Sequence, residues 1–507
     1  MAALNTLSFV TAPNISLLTY LGFFLLLLCI GCIAVATYNC FFHSLASLPG
    51  PKLYAITDLF YLRKLIAGKW PFALAELHEK YGPIVRYAPN DVSFIGAGAW
   101  KDIYGYRTSS REAMSKDLRQ YRPTMTDSSN ILIADDADHS RMRRLLSHAF
   151  SEKALRAQEK LIESYVNKLI DAMRKQSQQT DNSIDMVKWF NFMTFDILGD
   201  LSFGQTFGCL DSGGYHPWVA SIFDGFKLST LMQSLKRHPS LFPIMQWFLP
   251  KKLIRNQLQH QQLSFETAKQ RVQQGPTDHP DFMSHILRHT DGKGLTLDEI
   301  GENANILIVA GSETTATLLS GVTFWLLKNP EKYHKLLAEI RGSFAREEEI
   351  TLEAVSRLPY LLASLKEALR MYPPIPSGLG RIVPDSGAFI DGSWVAGKAV
   401  VSIPHYAAYH SPHNFADSSE YIPERWMNDA LYTQDARDVV EPFSYGPRNC
   451  LGMNLANAEM RMTLARILWN FDLELHPESL HWGTSQQIYV FWEKPPLKII
   501  VQARKTE

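Results

Sequence analysis

The most informative stretch of the chain is Phe443-Ser-Tyr-Gly446-Pro-Arg448-Asn-Cys450-Leu-Gly452. It reads F-x-x-G-x-R-x-C-x-G, and apolar residues follow at helical spacing from about Leu451 to Trp469. The pattern therefore predicts that Cys450 lies where a tight loop meets the N-terminus of a helix. Unpaired amide groups and the helix dipole favour a thiolate at such a place.

The other residues of this loop suit a flat, anionic metal cofactor such as haem. A cysteine thiolate is one of the axial ligands that proteins offer to haem iron. Gly446 and Gly452 let the backbone turn and approach a macrocycle closely. Arg448 offers a fork of donors to a propionate, and Phe443 can shield the sulfur from water. The alternative is a lone buried cysteine in a glycine-containing loop.

The loop resembles the haem-binding loop of the cytochrome P-450 superfamily, and every fixed position of that motif is matched. The resemblance implies haem b (iron protoporphyrin IX), with Cys450 as the axial ligand of the iron. Thiolate ligation is a known property of this family and is taken from the resemblance. The resemblance also implies that one oxygen atom of dioxygen is inserted into an organic substrate. Electrons would come from NADPH through a membrane-bound NADPH–cytochrome P-450 reductase, with cytochrome b5 as a second donor.

A second motif lies midway along a long apolar helix that begins at the capping box Thr296-Leu-Asp-Glu299. Its residues Ala310-Gly311-Ser-Glu313-Thr314-Thr resemble the oxygen-activation motif of the same family. Ala310 and Gly311 have almost no side chain, so a flat ligand can lie against the backbone. The resemblance implies that Thr314 and Glu313 relay protons to dioxygen. The alternative is helix packing, with Thr314 bonded back to the Ala310 carbonyl.

Three further residues are interpreted as structural. Glu367 and Arg370 lie three apart on a helix with apolar flanks, which predicts a buried pair that needs a further partner. Pro423-Glu-Arg425-Trp resembles the P-E-R-F segment of the family, with Trp in place of Phe. The resemblance implies that Arg425 completes a triad with Glu367 and Arg370 and that the triad holds the cysteine loop.

A short basic helix supplies further candidates for cofactor binding. The family commonly has W-x-x-x-R here, and this chain has His139 in place of Trp and retains Arg143. We expect both residues to bind a haem propionate, whereas the alternative is a solvated basic face. Arg381, which begins a predicted strand, matches another propionate-binding position. Arg141 and Arg144 on the same basic helix are candidates for the surface that docks the reductase.

The N-terminal region carries an uncharged apolar run from about Leu17 to Ala36. About 20 helical residues rise roughly 30 Å, which is enough to cross a bilayer. A cleaved signal peptide is the alternative, because Ala34-Val-Ala36 imitates a cleavage site. No Lys or Arg precedes the run, whereas Lys52 and Arg63 follow it, so an uncleaved anchor with a cytosolic globule is favoured.

These observations predict four segments and a location in the endoplasmic reticulum membrane. Residues 1–16 would be lumenal, 17–38 a transmembrane anchor, 39–52 a proline-rich hinge and 53–507 the catalytic domain. Asn14-Ile-Ser is then a lumenal glycosylation sequon.

Composition and patterning narrow the fold class. The 507 residues contain 51 basic and 51 acidic side chains, so no basic field indicates a nucleic-acid partner. Five cysteines, three of them in or beside the apolar run, do not form a disulfide framework. The patterns predict a mainly α protein with small antiparallel β-sheets, folded as a single large globule behind one N-terminal transmembrane helix.

The segments expected to face the substrate are apolar, which indicates a lipophilic substrate. They are residues 104–131, 203–249, 374–379 and 488–491. The chain is most similar in character to filamentous-fungal members that tailor secondary metabolites, with a polyketide, terpenoid or alkaloid as substrate. The alternatives are a thiolate-haem isomerase or dehydratase, and a haem-binding sensor without catalysis.

Overall fold

A computed structural model describes residues 17–504 except 107, 109–111, 122–125, 241–242, 244–246, 248, 276–278, 280, 287–293 and 485. Asn14 and the predicted lumenal segment therefore lie outside the described residues. Helices make up most of the described chain. In chain order they are α1 (Leu17–Thr37), α2 (Lys52–Ile56), α3 (Leu59–Ile66), α4 (Trp70–Tyr81), α5 (Gly98–Tyr104), α6 (Asp136–Ser147), α7 (Glu152–Ser177), α8 (Met186–Phe203), α9 (Cys209–Ser212), α10 (Pro217–Lys236), α11 (Lys251–Gln273), α12 (Phe282–Ile286), α13 (Leu297–Lys328), α14 (Pro330–Ser343), α15 (Leu352–Val355), α16 (Pro359–Met371), α17 (His405–Tyr409) and α18 (Met453–Asn470).

The strands are short and form small sheets. They are β1 (Ile84–Ala88), β2 (Asp91–Phe94), β3 (Ser115–Lys116), β4 (Ser183–Asp185), β5 (Arg381–Ile382), β6 (Ala388–Ile390), β7 (Ser393–Val395), β8 (Val400–Ser402), β9 (Phe471–Leu475), β10 (Gln487–Ile488), β11 (Trp492–Glu493) and β12 (Lys498–Ala503). One sheet has the order β1-β2-β8-β5-β3, another has the order β4-β12-β9, and two are hairpins. The predicted fold class is confirmed, although β2 and β8 pair in parallel.

The β6–β7 hairpin shows how local sequence sets one of these connections. Asp391 and Gly392 form its two-residue turn, with φ angles of 46° and 75°. Both angles are positive, as a tight hairpin turn requires, and Asp and Gly are residues that tolerate them. The hairpin predicted around these two residues is therefore confirmed.

The long central helix α13 begins at the predicted capping box. The Glu299 amide donates to Thr296 Oγ1 at 3.2 Å, and the Thr296 amide donates to Glu299 Oε2 at 2.9 Å. The helix is buried along most of its length and packs against α8, α11, α16 and α18. Such a helix, apolar nearly all round, runs through the interior of a protein.

The N-terminal helix α1 differs from α13 in its surroundings. It carries no charge and has no buried residue, and with the π-helical turn Tyr38–Phe42 it is long and apolar enough to cross a membrane. Helix α13 passes the same test of length and composition but is mostly buried, so it is a core helix. The predicted hinge packs on β1, since the Arg86 amide donates to the Pro49 carbonyl at 2.7 Å.

The core has two parts. The larger one packs α7, α8, α13, α16 and α18 together, and the smaller one packs the five-stranded sheet against α3, α4, α5 and α17. The predicted site residues come from both parts, because Ala310 and Thr314 belong to α13 and Arg381 belongs to β5. The site therefore forms only when the two parts come together.

Candidate haem site

The cysteine loop is a closed turn in front of α18. The Cys450 amide donates to the Phe443 carbonyl at 2.7 Å, which closes the loop. Gly446 has a φ of 76°, and a Cβ atom there would lie 2.1 Å from the Tyr104 carbonyl oxygen. No other residue fits at this position. The predicted turn is present, and the missing side chain lets Gly446 approach the Tyr104 backbone closely. Beside Gly452 the space is open, with Phe150 at 3.9 Å.

The Cys450 thiol faces an internal space. The residue is surrounded by protein on most sides, and burial raises the pKa of its thiol, yet it keeps an exposed surface. The Gly452 amide and Arg143 oppose this rise in pKa. Helix α18 begins only at Met453, with Gly452 as its N-cap. A backbone amide does favour the thiolate as expected, but desolvation outweighs it in this structure. A metal ion that binds the sulfur would displace the proton.

Arg143 braces the cysteine loop directly. Its Nη1 donates to the Asn449 carbonyl at 2.6 Å, and its Nη2 donates to Asn449 Oδ1 at 2.5 Å. Arg143 thus makes a bidentate bond to the residue that precedes Cys450, and its contact with a propionate stays a prediction. His139 on the same helix is buried, and burial together with the charges of Arg448, Lys116 and Arg143 lowers its pKa to about 4. Its imidazole is therefore neutral at pH 7.

A cluster of basic side chains, Arg448, Arg381 and Lys116, lies beside the loop. Arg448 Nη2 donates to the Ala134 carbonyl at 2.8 Å and to Asp136 Oδ1 at 2.7 Å. Its Nη1 is buried without a hydrogen-bond partner among the described residues. Arg381 is only 3% exposed, lies 5.1 Å from the Tyr104 ring, and forms no ion pair within the described part of the chain.

Lys116 is a third basic side chain in this cluster, and sequence reasoning missed it. Burial, followed by the charges of Arg381 and Arg448, lowers its pKa to about 6. It lies in the two-residue strand β3, opposite Arg381, and no motif points to it. The Lys116 amine is therefore mostly neutral at pH 7 without an anion beside it. Asp136, which is mostly exposed, is the one carboxylate that the cluster pairs with among the described residues. Two propionates of a haem would supply the missing negative charge.

Helix α13 opens in its middle. Ala310 is exposed and Thr314 is partly exposed, although their neighbours Val309, Ser312 and Glu313 are buried. The Thr314 hydroxyl donates to the Ala310 carbonyl at 2.7 Å, which is the packing alternative named above. Ala310 therefore borders an internal space, as a flat ligand requires.

Gly311 does not serve the predicted purpose. A Cβ atom on Gly311 would lie 2.9 Å from Leu198 Cδ1, so the missing side chain lets α13 and α8 approach each other. The expectation that Gly311 makes room for a ligand is corrected, because Leu198 occupies that side.

Glu313 pairs with Lys494 and not with Thr314. Lys494 Nζ bonds Glu313 Oε1 and also donates to Thr317 Oγ1 at 2.7 Å, while Thr317 Oγ1 is 3.3 Å from Glu313 Oε1. Burial raises the pKa of Glu313, and Lys494 opposes the rise. The predicted acid–threonine relay is therefore not assembled in this structure. Sequence reasoning missed Lys494 because it lies 181 positions away in a segment with no motif.

The structure brings the three predicted structural residues together. Arg370 donates to both Glu367 oxygens at 3.0 and 2.7 Å, and Arg425 Nε donates to Glu367 Oε1 at 3.1 Å. Trp426 Nε1 adds a bond to Glu367 Oε2 at 2.8 Å. The Glu367, Arg370 and Arg425 side chains are fully buried. Arg425 also pairs with Asp435, so the triad ties α16 to the segment that leads into the cysteine loop.

The two candidate docking arginines differ. Arg141 pairs with Asp138 at 2.9 Å and with Glu299 at the start of α13. Two carboxylates thus offset the charge of Arg141 in this structure, and its role as a candidate for docking the reductase stays a prediction. Arg144 is exposed and stays a prediction.

The residues around the cysteine loop and the middle of α13 fit haem. The Cys450 sulfur is accessible, and the exposed Ala310 interrupts a buried helix. The basic cluster includes a buried guanidinium nitrogen that has no partner among the described residues. These features suit an iron, a flat ring and its propionates in turn. Fold and site thus define a haem-thiolate protein.

Comparison with known proteins agrees with this class. The family model "Cytochrome P450" matches residues 48–501. The chain is 44% identical over 473 residues to cytochrome P450 monooxygenase astA of Talaromyces wortmannii, covering 93% of this chain and 95% of the relative. It is 45% identical to cytochrome P450 monooxygenase aclL of Aspergillus oryzae, covering 92% and 95%. The chain belongs to the cytochrome P450 family. The predicted enzyme class, an oxidoreductase acting as a monooxygenase, is thereby confirmed.

Proposed function

We propose that the chain is a membrane-anchored monooxygenase that inserts one oxygen atom into a lipophilic small molecule as a tailoring step of fungal secondary metabolism. The observation that carries this proposal is the accessible Cys450 thiol beside a cluster of basic side chains that pairs with a single exposed carboxylate among the described residues. The relatives support the reaction class, since both are cytochrome P450 monooxygenases by name. All of these relatives come from fungi, which supports the biological setting.

Different residues would have different roles in such a reaction. Haem, when bound through Cys450, would supply dioxygen activation, which protein side chains cannot perform. Arg448, Arg381 and Lys116 would bind its carboxylates. Ala310 leaves space for the ring and substrate. Thr314, one turn further along α13, would present a hydroxyl to the reacting oxygen and pass a proton to it.

Electron supply and location belong to the same proposal. The uncharged helix α1 supports anchoring in the endoplasmic reticulum membrane, with the globule in the cytosol. An NADPH-dependent flavoprotein reductase in the same membrane would deliver electrons, with cytochrome b5 as a second donor. Protease added to intact microsomes should digest the globule. Protection until detergent is added would reverse the proposed topology.

The reaction class is tested by reconstitution with the reductase and NADPH under ¹⁸O₂. A panel of reduced polyketides, sesquiterpenes and indole alkaloids is incubated with the holoenzyme and analysed by mass spectrometry. One ¹⁸O atom in a product, with NADPH consumed, supports a monooxygenase. A product of unchanged mass or one that has lost water would indicate an isomerase or a dehydratase. No NADPH oxidation with any compound would indicate a sensor. The Cys450→Ala variant is the negative control.

A further inference from the structure

The chain that leaves helix α1 is built into the globule. Helix α1 has no buried residue, whereas Asn39 and Cys40, in the π-helical turn that follows it, are only 8% and 7% exposed. Asn39 Nδ2 donates to the carbonyl of Ile56, the last residue of α2, at 3.1 Å. One face of the turn therefore packs on the globule directly after the apolar helix ends.

Arg86 of β1 joins this turn to the sheet. Its Nη1 donates to the Asn39 carbonyl at 2.8 Å, and its Nε and Nη2 donate to the Pro89 carbonyl at 3.2 and 2.8 Å. Its backbone amide donates to the Pro49 carbonyl at 2.7 Å. Arg86 is buried, so one residue inside the globule binds both the turn after α1 and the proline-rich segment that follows it.

Gly50 brings the proline-rich segment into close contact with the same residue. Its φ angle is 154°, and a Cβ atom there would lie 2.2 Å from the Arg86 carbonyl oxygen. A residue with a side chain would have to move the backbone away from β1. The segment between α1 and the globule is therefore packed against the sheet and is not a free linker.

The outer surface beside this joint is apolar. Five large apolar residues point away from the protein and are between 38% and 73% exposed, namely Phe41 and Phe42 of the π-helical turn and Leu59, Phe60 and Ile66 of α3. We call these five residues the apolar patch. A surface helix of a soluble protein normally presents polar residues on its outer face, so the outer face of α3 suits a partner that is not water.

Basic side chains accompany the apolar patch. Lys52, Arg63 and Lys64 are exposed, and Arg63 and Lys64 lie on α3 between the apolar residues of its outer face. Residues 38–66 of the sequence contain one acidic residue, Asp58, and its carboxylate is paired with Arg237 at 2.8 Å. Apolar side chains interspersed with long basic ones match a phospholipid interface, where the stems lie along the acyl chains and the charges reach the phosphates.

We propose that the apolar patch lies in the interface of the bilayer that α1 crosses, and that Arg86 locks α1, the patch and the globule into one rigid unit. The inference rests on the proposed function, because it takes α1 as a membrane anchor. The patch begins on the turn directly after α1, so its first residues are already at the bilayer boundary. The globule is therefore held on the membrane in one orientation and does not swing on its anchor.

The first test is photocrosslinking of the full-length holoenzyme in phospholipid nanodiscs. The photoreactive residue p-benzoylphenylalanine replaces Phe60 of the patch, Phe23 of α1 or Leu431, one position at a time, and mass spectrometry detects the adducts. Phe23 is the positive control for the anchor. Leu431 is the matched negative control, since it is an apolar residue that is 79% exposed in the segment before the cysteine loop. We expect phospholipid adducts at positions 23 and 60 and none at position 431.

The second test measures how the haem plane is tilted relative to the membrane, by linear dichroism of the haem absorption in oriented bilayers. The wild type should show one narrow range of tilt angles. Arg86→Met removes the bond to the Asn39 carbonyl, so the range should at least double. Arg357→Met is the control, because Arg357 pairs with Glu353 on the exposed surface, and it should match the wild type.

A milder variant keeps this test decisive if Arg86→Met does not retain haem. Asn39→Ala removes only the bond to the Ile56 carbonyl, and it should also widen the range of tilt angles. The reduced carbon-monoxide spectrum of each variant should equal that of the wild type. A change in tilt with an unchanged spectrum separates the orientation of the globule from damage to the haem site.

The outcomes separate this inference from the proposed function. An absence of phospholipid adducts at both position 23 and position 60 would contradict the membrane anchoring in the proposed function. Adducts at position 23 alone, or adducts that join position 60 to a second copy of the chain, would overturn the lipid contact of the patch. Adducts at both positions with the wild-type range of tilt angles in Arg86→Met and Asn39→Ala would overturn the locking role of Arg86.

Discussion

Arg143 on α6 donates two hydrogen bonds to Asn449, the residue that precedes Cys450, across a separation of 306 positions. The guanidinium fork matches the carbonyl and the side-chain oxygen of one residue. This contact fixes the backbone that presents the sulfur, and it places a positive charge near the thiol. A basic residue that looks like a cofactor ligand in the sequence thus acts through the cysteine loop.

We expect Arg143→Lys to weaken cofactor retention, because a lysine cannot make the two-pronged bond. Loss of a group that orients a metal ligand costs about 10-fold in affinity or more. The measurement is the haem content of purified protein after dialysis against apomyoglobin. Arg144→Lys, at the exposed neighbouring position, serves as the control. Equal haem retention in the two variants would contradict the bracing role.

Cys450→Ala should abolish the thiolate signature. The reduced carbon-monoxide complex of the wild type should show the red-shifted Soret band of a thiolate haem, and the variant should lack it, because its alanine offers no ligand. The measurement is a difference spectrum of each protein. Cys209→Ala is the control, since Cys209 is likewise an unbridged cysteine but is buried. An unchanged spectrum in Cys450→Ala would rule out this ligand.

Glu367→Ala should yield haem-free or insoluble protein. The substitution leaves Arg370 and Arg425 buried without their shared carboxylate, a cost of about 3–5 kcal/mol. Soluble yield and haem content are the measurements. Glu353→Ala removes an exposed pair with Arg357, worth about 0.3–0.5 kcal/mol, and should behave as wild type. Normal haem content with loss of turnover alone would indicate a catalytic role instead.

Thr314→Val should separate oxygen consumption from product formation. We expect the thiolate spectrum and reduction by the reductase to persist. Product per NADPH should fall about 10-fold and hydrogen peroxide should rise. A positioned proton donor accelerates a reaction roughly 10²–10⁴-fold, and a water molecule in the variant would supply part of that acceleration. Thr323→Val is the control, because Thr323 makes the same bond to the carbonyl four residues back, at 2.8 Å. A wild-type yield of product per NADPH in Thr314→Val would show that Thr314 has only a packing role in α13.

Glu459 on α18 should make stability fall as pH rises. It is 1% exposed, and burial raises its pKa to about 8, with Thr315 opposing. The unfolded chain releases this proton near pH 4.3. Between roughly pH 4 and pH 8 the folded protein therefore holds more protons than the unfolded chain, so its stability declines with increasing pH and levels off above about 8.

The measurement is the melting temperature of wild type and Glu459→Gln at about pH 5.5 and pH 8. Each pKa unit corresponds to about 1.4 kcal/mol. The free energy of unfolding of the variant, relative to that of the wild type, should therefore increase by up to a few kcal/mol from about pH 5.5 to pH 8. Glu348→Gln, an exposed substitution, should track the wild type at both values. A constant difference between Glu459→Gln and wild type would contradict the assignment.

Local features of this protein were readable from short stretches of sequence. The capping box before α13, the Asp391-Gly392 turn and the closed Cys450 loop depend on hydrogen bonds and φ angles within a few residues. The uncharged run of α1 depends on composition alone. Family motifs added the cofactor and the grouping of Glu367 with distant Arg425, which no local pattern contains.

Tertiary packing decided the electrostatic partners and the use of the empty space. Lys494 meets Glu313, and Lys116 lies opposite Arg381, because separate segments converge on α13 and β5. Gly311 makes room for Leu198 and not for a ligand, since the side that a helix residue faces depends on its neighbour. A charge in the sequence shows what a side chain can bind, but burial and distance determine which partner it binds, and both exist only in the folded chain.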